Sequence, residues 1–105
     1  MGIGERSATT LALVIHELAT NSLKYGALSV STGLLDISGA TSEGTVTMAW
    51  TERGGPTVKP PETDGYGSKL LTRSVTGQLG GSITRDWSPE GVIVTLVMDA
   101  EKLAN

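Results

Sequence analysis

The sequence predicts an α+β fold: a two-layer α/β sandwich whose mostly antiparallel, mixed sheet is covered by helices. Three observations carry this. The elements run helix, strand, strand, loop, helix, strand, strand. Each strand pair has a connection too short for a parallel crossover. The 105 residues, 38% of them hydrophobic, are enough for one core and too few for two, so residues 1–105 read as a single domain.

The first helix reads from Ser7 or Thr9 to Tyr25, because Leu11, Ile15, Leu18 and Ser22 recur at helical spacing, as do Val14, Leu18 and Tyr25. Thr9 or Thr10 is expected to cap its start, and Gly26 to provide a left-handed exit. A loop with Ser29, Ser31 and Gly33 leads to a strand at Leu34 to Ser38 and, through a Gly39 to Gly44 turn, to a second at Thr45 to Glu52. In that second strand Val46, Met48 and Trp50 face one way and Thr45, Thr47 and Thr51 the other. Gly54 to Tyr66 is irregular, since it contains Gly54-Gly55-Pro56 and Pro60-Pro61. Leu70, Leu71, Val75 and Leu79 mark a second helix over Ser68 to Gln78, stopped by Gly80-Gly81. Strands at Ser82 to Trp87 and Val92 to Met98 follow, joined by the turn sequence Ser88-Pro89-Glu90-Gly91. The polar tail from Asp99 is expected to fray.

Composition narrows the function. With 11 acidic and 8 basic residues the net charge is -3, which gives no electrostatic footprint for duplex DNA or an anionic membrane. The absence of cysteine removes disulfides and Cys-based zinc sites. The longest apolar run, Leu11 to Ile15, falls far short of a membrane span. Glu5 and the polar Ser7 to Thr10 stand where a signal peptide would be apolar, and Arg6 stands where a myristoylation site needs Ser or Thr. The expectation is a soluble cytoplasmic domain, monomeric on its own. No phenylalanine and 4% aromatics leave the core to aliphatic side chains and two tryptophans.

Three groups of residues carry possible chemistry. Glu17, Asn21 and Lys24 lie at spacings of four and three, on one side of the first helix. Magnesium takes hard oxygen ligands and keeps several waters, so Asn21 could supply one ligand, Glu17 could orient a metal-bound water and Lys24 could meet a phosphate. A solvated amphipathic helix would carry the same stripe. Glu52 shares a strand face with Trp50 and Met48. Aimed inward, this carboxylate needs donors, and the exocyclic amino group of adenine is one; past the useful end of the strand it would simply be solvated. Gly65-Tyr66-Gly67-Ser68-Lys69-Leu70 precedes a helix, where glycine amides and the helix N-terminus suit phosphate. It matches neither the dinucleotide fingerprint nor the Walker pattern.

In combination these segments resemble the HWE family of sensor histidine kinases. His16-Glu17-Leu18-Ala19-Thr20-Asn21-Ser22-Leu23-Lys24-Tyr25-Gly26-Ala27-Leu28 is similar to its N box, Trp50-Thr51-Glu52-Arg53-Gly54-Gly55-Pro56 to its first glycine box, and Gly65 to Leu70 to its second. The resemblance runs from about Ala8 to Leu96. It implies the Bergerat ATP-binding sandwich of the GHKL superfamily, with ATP and Mg2+ bound. Asn21 would be the metal ligand and Glu17 its water-orienting neighbour. Lys24 would contact phosphate and Tyr25 would wall the nucleotide. Glu52 would recognise adenine, and Gly54 would let the chain pass beside the base. Gly65 and Gly67 would bring amides to phosphate within the motif completed by Tyr66, Ser68, Lys69 and Leu70, with Ser68 at the helix start. Thr95 would supply a hydroxyl near adenine, and Gly55 to Asp64 would form the ATP lid.

His16, the only histidine, is counted with Glu17 and Lys24 in the catalytic set, packing or orienting the Glu17 region ahead of a direct catalytic part, and does not accept phosphate, because the family's acceptor lies in a separate dimerisation domain. Trp50 would pack against core and pocket. The resemblance thus implies transfer of the γ-phosphoryl group to a histidine on that separate domain, with a response regulator downstream. An anti-sigma-factor-type serine kinase and a non-catalytic nucleotide-sensing module are the alternatives on the same fold.

Overall fold

The computed structural model describes residues 3–55 and 66–104, the side chains of 66–71 excepted. Helix α1 spans Glu5–Tyr25 and is followed by a 3-10 turn at Ala27–Ser29. Strands β1 (Leu34–Ser42) and β2 (Thr45–Arg53) form a hairpin, helix α2 spans Tyr66–Gly77, and β3 (Ser82–Ser88) and β4 (Gly91–Asp99) form a second hairpin. A short helix α3, Ala100–Leu103, ends the described chain. The sheet order is β1-β2-β4-β3, and all three pairings are antiparallel.

Helices cover one face of the sheet. Val14 and Leu18 of α1 and Val75 and Leu79 beyond them pack on Trp50, Val92, Val94, Leu96 and Met98. The period-two alternation of β4 explains this set, since even-numbered residues face the helices and Ile93 faces out. The opposite face of β2 and β4 carries Thr47, Ala49, Thr51, Thr95 and Val97, as suits an antiparallel sheet with one face turned to water.

Several boundaries differ from expectation for identifiable reasons. Helix α1 starts earlier, with Gly4 as its N-cap, so Thr9 and Thr10 are interior and their hydroxyls donate back to the carbonyls of Glu5 and Arg6 at 3.1 and 3.0 Å. Strand β1 runs on to Ser42, because Gly39 to Ser42 pair with Met48 to Thr45. The turn is therefore only Glu43-Gly44, at φ 48° and 79°, the left-handed pair that a two-residue hairpin requires.

The described tail, Asp99 to Ala104, does not fray. Leu103 is 2% exposed, Asp99 caps α3 by accepting from the Glu101 amide at 3.2 Å, and the Ala100 amide bonds the Gly44 carbonyl at 2.9 Å. Across the chain, the Gly4 amide donates to Leu103 O at 3.0 Å and the buried Ser7 hydroxyl to Lys102 O at 2.7 Å. Gln78 Nε2 reaches the same hydroxyl at 3.4 Å, which ties the end of α2 to the start of α1. Among the described residues no helix is long and apolar enough to cross a membrane.

Candidate functional site

The last turns of α1 and the end of β2 meet at Glu52. Strand alternation turns Glu52 inward beside Trp50, and the side chain is 7% exposed. Oε1 accepts from the Ser22 hydroxyl at 2.8 Å and from the Ala27 amide at 2.9 Å. Oε2 accepts from the Trp50 indole Nε1 at 2.8 Å. The Ser22 oxygen in turn accepts from the Leu28 amide at 3.1 Å. A buried carboxylate needs donors of this kind, and among the described residues three of them meet it. Ser22 and Ala27 were not singled out as its partners by sequence. The signal available was that Ser22 lies on the buried stripe of α1 one residue after Asn21.

The glycines around this point serve close approach. Gly26 is extended, at φ -111° and ψ -152°, rather than left-handed as expected; a Cβ there would overlap Glu52 Oε1. Gly54, at φ +73°, passes beside the 26–33 segment: a Cβ would sit 2.5 Å from Thr32 O, and the Thr32 hydroxyl donates to Gly54 O at 2.9 Å. A Cβ on Gly55 would lie 2.7 Å from Ala27 Cα. Backbone thus packs on backbone where the second motif meets the end of the first.

The stripe residues flank this junction. Glu17 is half-buried, while Asn21 and Lys24 are exposed on the side of α1 next to the buried face, and Tyr25 is 68% exposed. His16 is exposed, which corrects the expectation that it packs; its position on the helix turns it away from the side of Val14 and Leu18. Thr95 is also corrected: it pairs with Ala49 and Thr84 on the open face of the sheet, whereas Glu52 pairs with Val92 on the helix face. Its hydroxyl cannot join Glu52 without crossing the sheet.

For the third motif, Gly65 lies outside the described residues. Tyr66, Gly67, Ser68, Lys69 and Leu70 open α2, so Tyr66 and Gly67 belong to its first turn and Ser68 follows them instead of starting the helix. Of the expected lid only Gly55 is described. Two open clefts, of about 490 and 410 Å³, lie elsewhere, around Arg6 and Gln78, and no residue expected at the site lines them. Among the described residues no three His, Cys, Asp or Glu side chains gather into a metal cluster.

The fold matches solved histidine kinase structures. The histidine kinase domain of the Erythrobacter litoralis EL346 blue-light activated histidine kinase superposes with a TM-score of 0.77 at 19% identity, covering 94% of this chain and 47% of that one. The catalytic domain of histidine kinase ThkA, in a nucleotide-free form, gives a TM-score of 0.68 at 17% identity over 88% of this chain and 67% of that one. No family model matches the chain. Sequence relatives carry the comparison further. Blue-light-activated histidine kinase 1 of Erythrobacter litoralis is 45% identical over 93 residues, 86% of this chain and 26% of the relative. Blue-light-activated histidine kinase of Brucella anthropi is 34% identical over 99 residues, 90% of this chain and 20% of the relative.

By sequence, then, the chain is similar to a part of histidine kinases, and its fold is that of their catalytic domain. It spans about a quarter of the length of the first of these relatives and a fifth of the second.

Proposed function

We propose that this domain binds Mg-ATP and delivers the γ-phosphoryl group to a histidine on a separate dimerisation and phosphoacceptor domain, from which a response regulator is served. The observation that carries the reading is the meeting of Ser22 with Glu52 at 2.8 Å, which places two sequence motifs thirty positions apart at one point beside Asn21. The donor set fits the cofactor. Asn21 offers a neutral amide oxygen at an exposed position, Glu17 lies one turn before it, and Lys24 lies beyond it. One protein oxygen, with phosphate oxygens and water completing the shell, is an ordinary way to hold magnesium. When bound, the ion neutralises charge on the phosphates.

The work of this chain in such a reaction is positioning. Glu52 holds the base, Asn21 fixes the metal end of the nucleotide, Glu17 orders water there and Lys24 meets the phosphate. Gly65, Tyr66, Gly67, Ser68, Lys69 and Leu70 form the phosphate-side segment. The partner's imidazole nitrogen attacks the γ-phosphorus with its lone pair. The bond to the β–γ bridging oxygen breaks, ADP leaves with that electron pair, and the proton on the other ring nitrogen is released. No nucleophile is required of this domain. ATP as the donor places the reaction in the cytoplasm.

A calorimetric titration of ATP and GTP, with and without magnesium, tests the reading on wild type and Asn21→Ala. Wild type is expected to prefer ATP and to need magnesium, and the variant to lose the magnesium dependence while its thermal melt stays unchanged. Equal binding of both nucleotides by both proteins would refute it.

A further inference from the structure

We infer that Trp50 and Ser22 are positioning residues for base selection: they hold the Glu52 carboxylate in one orientation with a single acceptor position left open, on Oε2. The inference rests on the proposed nucleotide reading and adds the residues that set its specificity.

The argument is a count of acceptor positions. An ionised carboxylate offers about four lone-pair positions, two on each oxygen. Both positions of Oε1 are filled, by the Ser22 hydroxyl at 2.8 Å and the Ala27 amide at 2.9 Å. One position of Oε2 is filled, by the Trp50 indole at 2.8 Å. Among the described residues nothing fills the fourth, which is left for a ligand, and the side chain as a whole is 7% exposed.

The holders are themselves held. Ser22 Oγ accepts from the Leu28 amide at 3.1 Å, which fixes the direction in which its proton points. Trp50, 2% exposed, is locked in the core with Val94 and Val92, so its N–H has one direction available. On the other side, the missing side chain of Gly26 lets Oε1 lie against the backbone. A carboxylate free to rotate would present either oxygen and would discriminate poorly. Pinned by three donors, it presents one lone pair that accepts from an amino group and repels a keto oxygen. The ligand feature selected is therefore an exocyclic amino group at the six-position of a purine.

The test measures dissociation constants for ATP, ITP and GTP, with magnesium, by calorimetry on wild type, Trp50→Phe and Ser22→Ala, each checked for fold by circular dichroism. ITP carries a keto oxygen where ATP carries the amino group. Loss of one hydrogen bond that orients the carboxylate is expected to lower the ATP-over-ITP preference about tenfold in Trp50→Phe and roughly threefold or more in Ser22→Ala. If Trp50→Phe does not fold, Ser22→Ala decides alone. An equal loss of affinity for all three nucleotides, with the preference retained, would mean that the two residues act only through packing and would overturn the inference. Wild type that binds ATP and ITP equally would remove base reading by Glu52, and wild type that binds no nucleotide would remove the functional proposal itself.

Discussion

Glu52→Ala should unsettle the whole domain, beyond any effect on a ligand. The substitution strips the partner from three donors at once: the Ser22 hydroxyl, the Ala27 amide and the Trp50 indole. A hydrogen bond to a charged acceptor contributes about 1.5–3 kcal/mol, and a buried donor left without a partner costs about 1–3 kcal/mol. Against this, removing the carboxylate relieves the desolvation of a buried charge, and water can enter the small opening at this position. The expected balance is a loss of about 3 kcal/mol, which for a domain of this size lowers Tm by roughly 12–18 °C. Urea unfolding followed by circular dichroism measures it, with Glu90→Ala as control, because Glu90 is exposed and should stay within about 0.5 kcal/mol of wild type. In a cycle with Trp50→Phe the losses should be less than additive, since the indole cannot lose the same partner twice. A Glu52→Ala protein as stable as the control would refute the reasoning, because the carboxylate would then be holding nothing together.

Other substitutions probe separate parts of the account. Gly26→Ala places a Cβ against Glu52 Oε1 and should cost about 2 kcal/mol in thermal unfolding; a neutral result would mean that the approach is not tight. Leu103→Ala should cost about 2–4 kcal/mol and speed hydrogen exchange at the Gly4 amide, which is bonded to that residue; unchanged exchange would show that the terminal helix is dispensable. Thr95→Ala lies on the open face of the sheet and should leave the ATP dissociation constant within about twofold of wild type, and a larger change would restore Thr95 to the site.

How much of this could be read from the chain differs by element. The strand face of Glu52 was legible, because strand geometry alone puts residue 52 with residues 50 and 48, whereas its burial was not, since a carboxylate at the end of a strand can equally be solvated. The two hairpins were legible for the same reason, as patterns of period two around turn residues. The outward aim of Thr95 was also written there, in the apolar alternation of Val92, Val94, Leu96 and Met98, and it conflicts with the role that the family resemblance assigned. What stayed hidden depends on tertiary approach. Ser22 and Ala27 reach Glu52 across 30 and 25 positions, and no local pattern encodes that meeting. The order in the tail is hidden likewise. Leu103 is its one large apolar residue, and much of its anchoring runs through backbone groups of Gly4, Gly44 and Leu79, which composition does not record.

The bond between the Gly4 amide and Leu103 O brings the two covalent exits of the fold to one corner. From that corner α1 runs as a continuous rod to Ser22, on the order of 25 Å at 1.5 Å per residue. The pinned acid therefore sits at the pole opposite the corner where the Gly4 and Leu103 backbones meet, and the length of α1 separates the two.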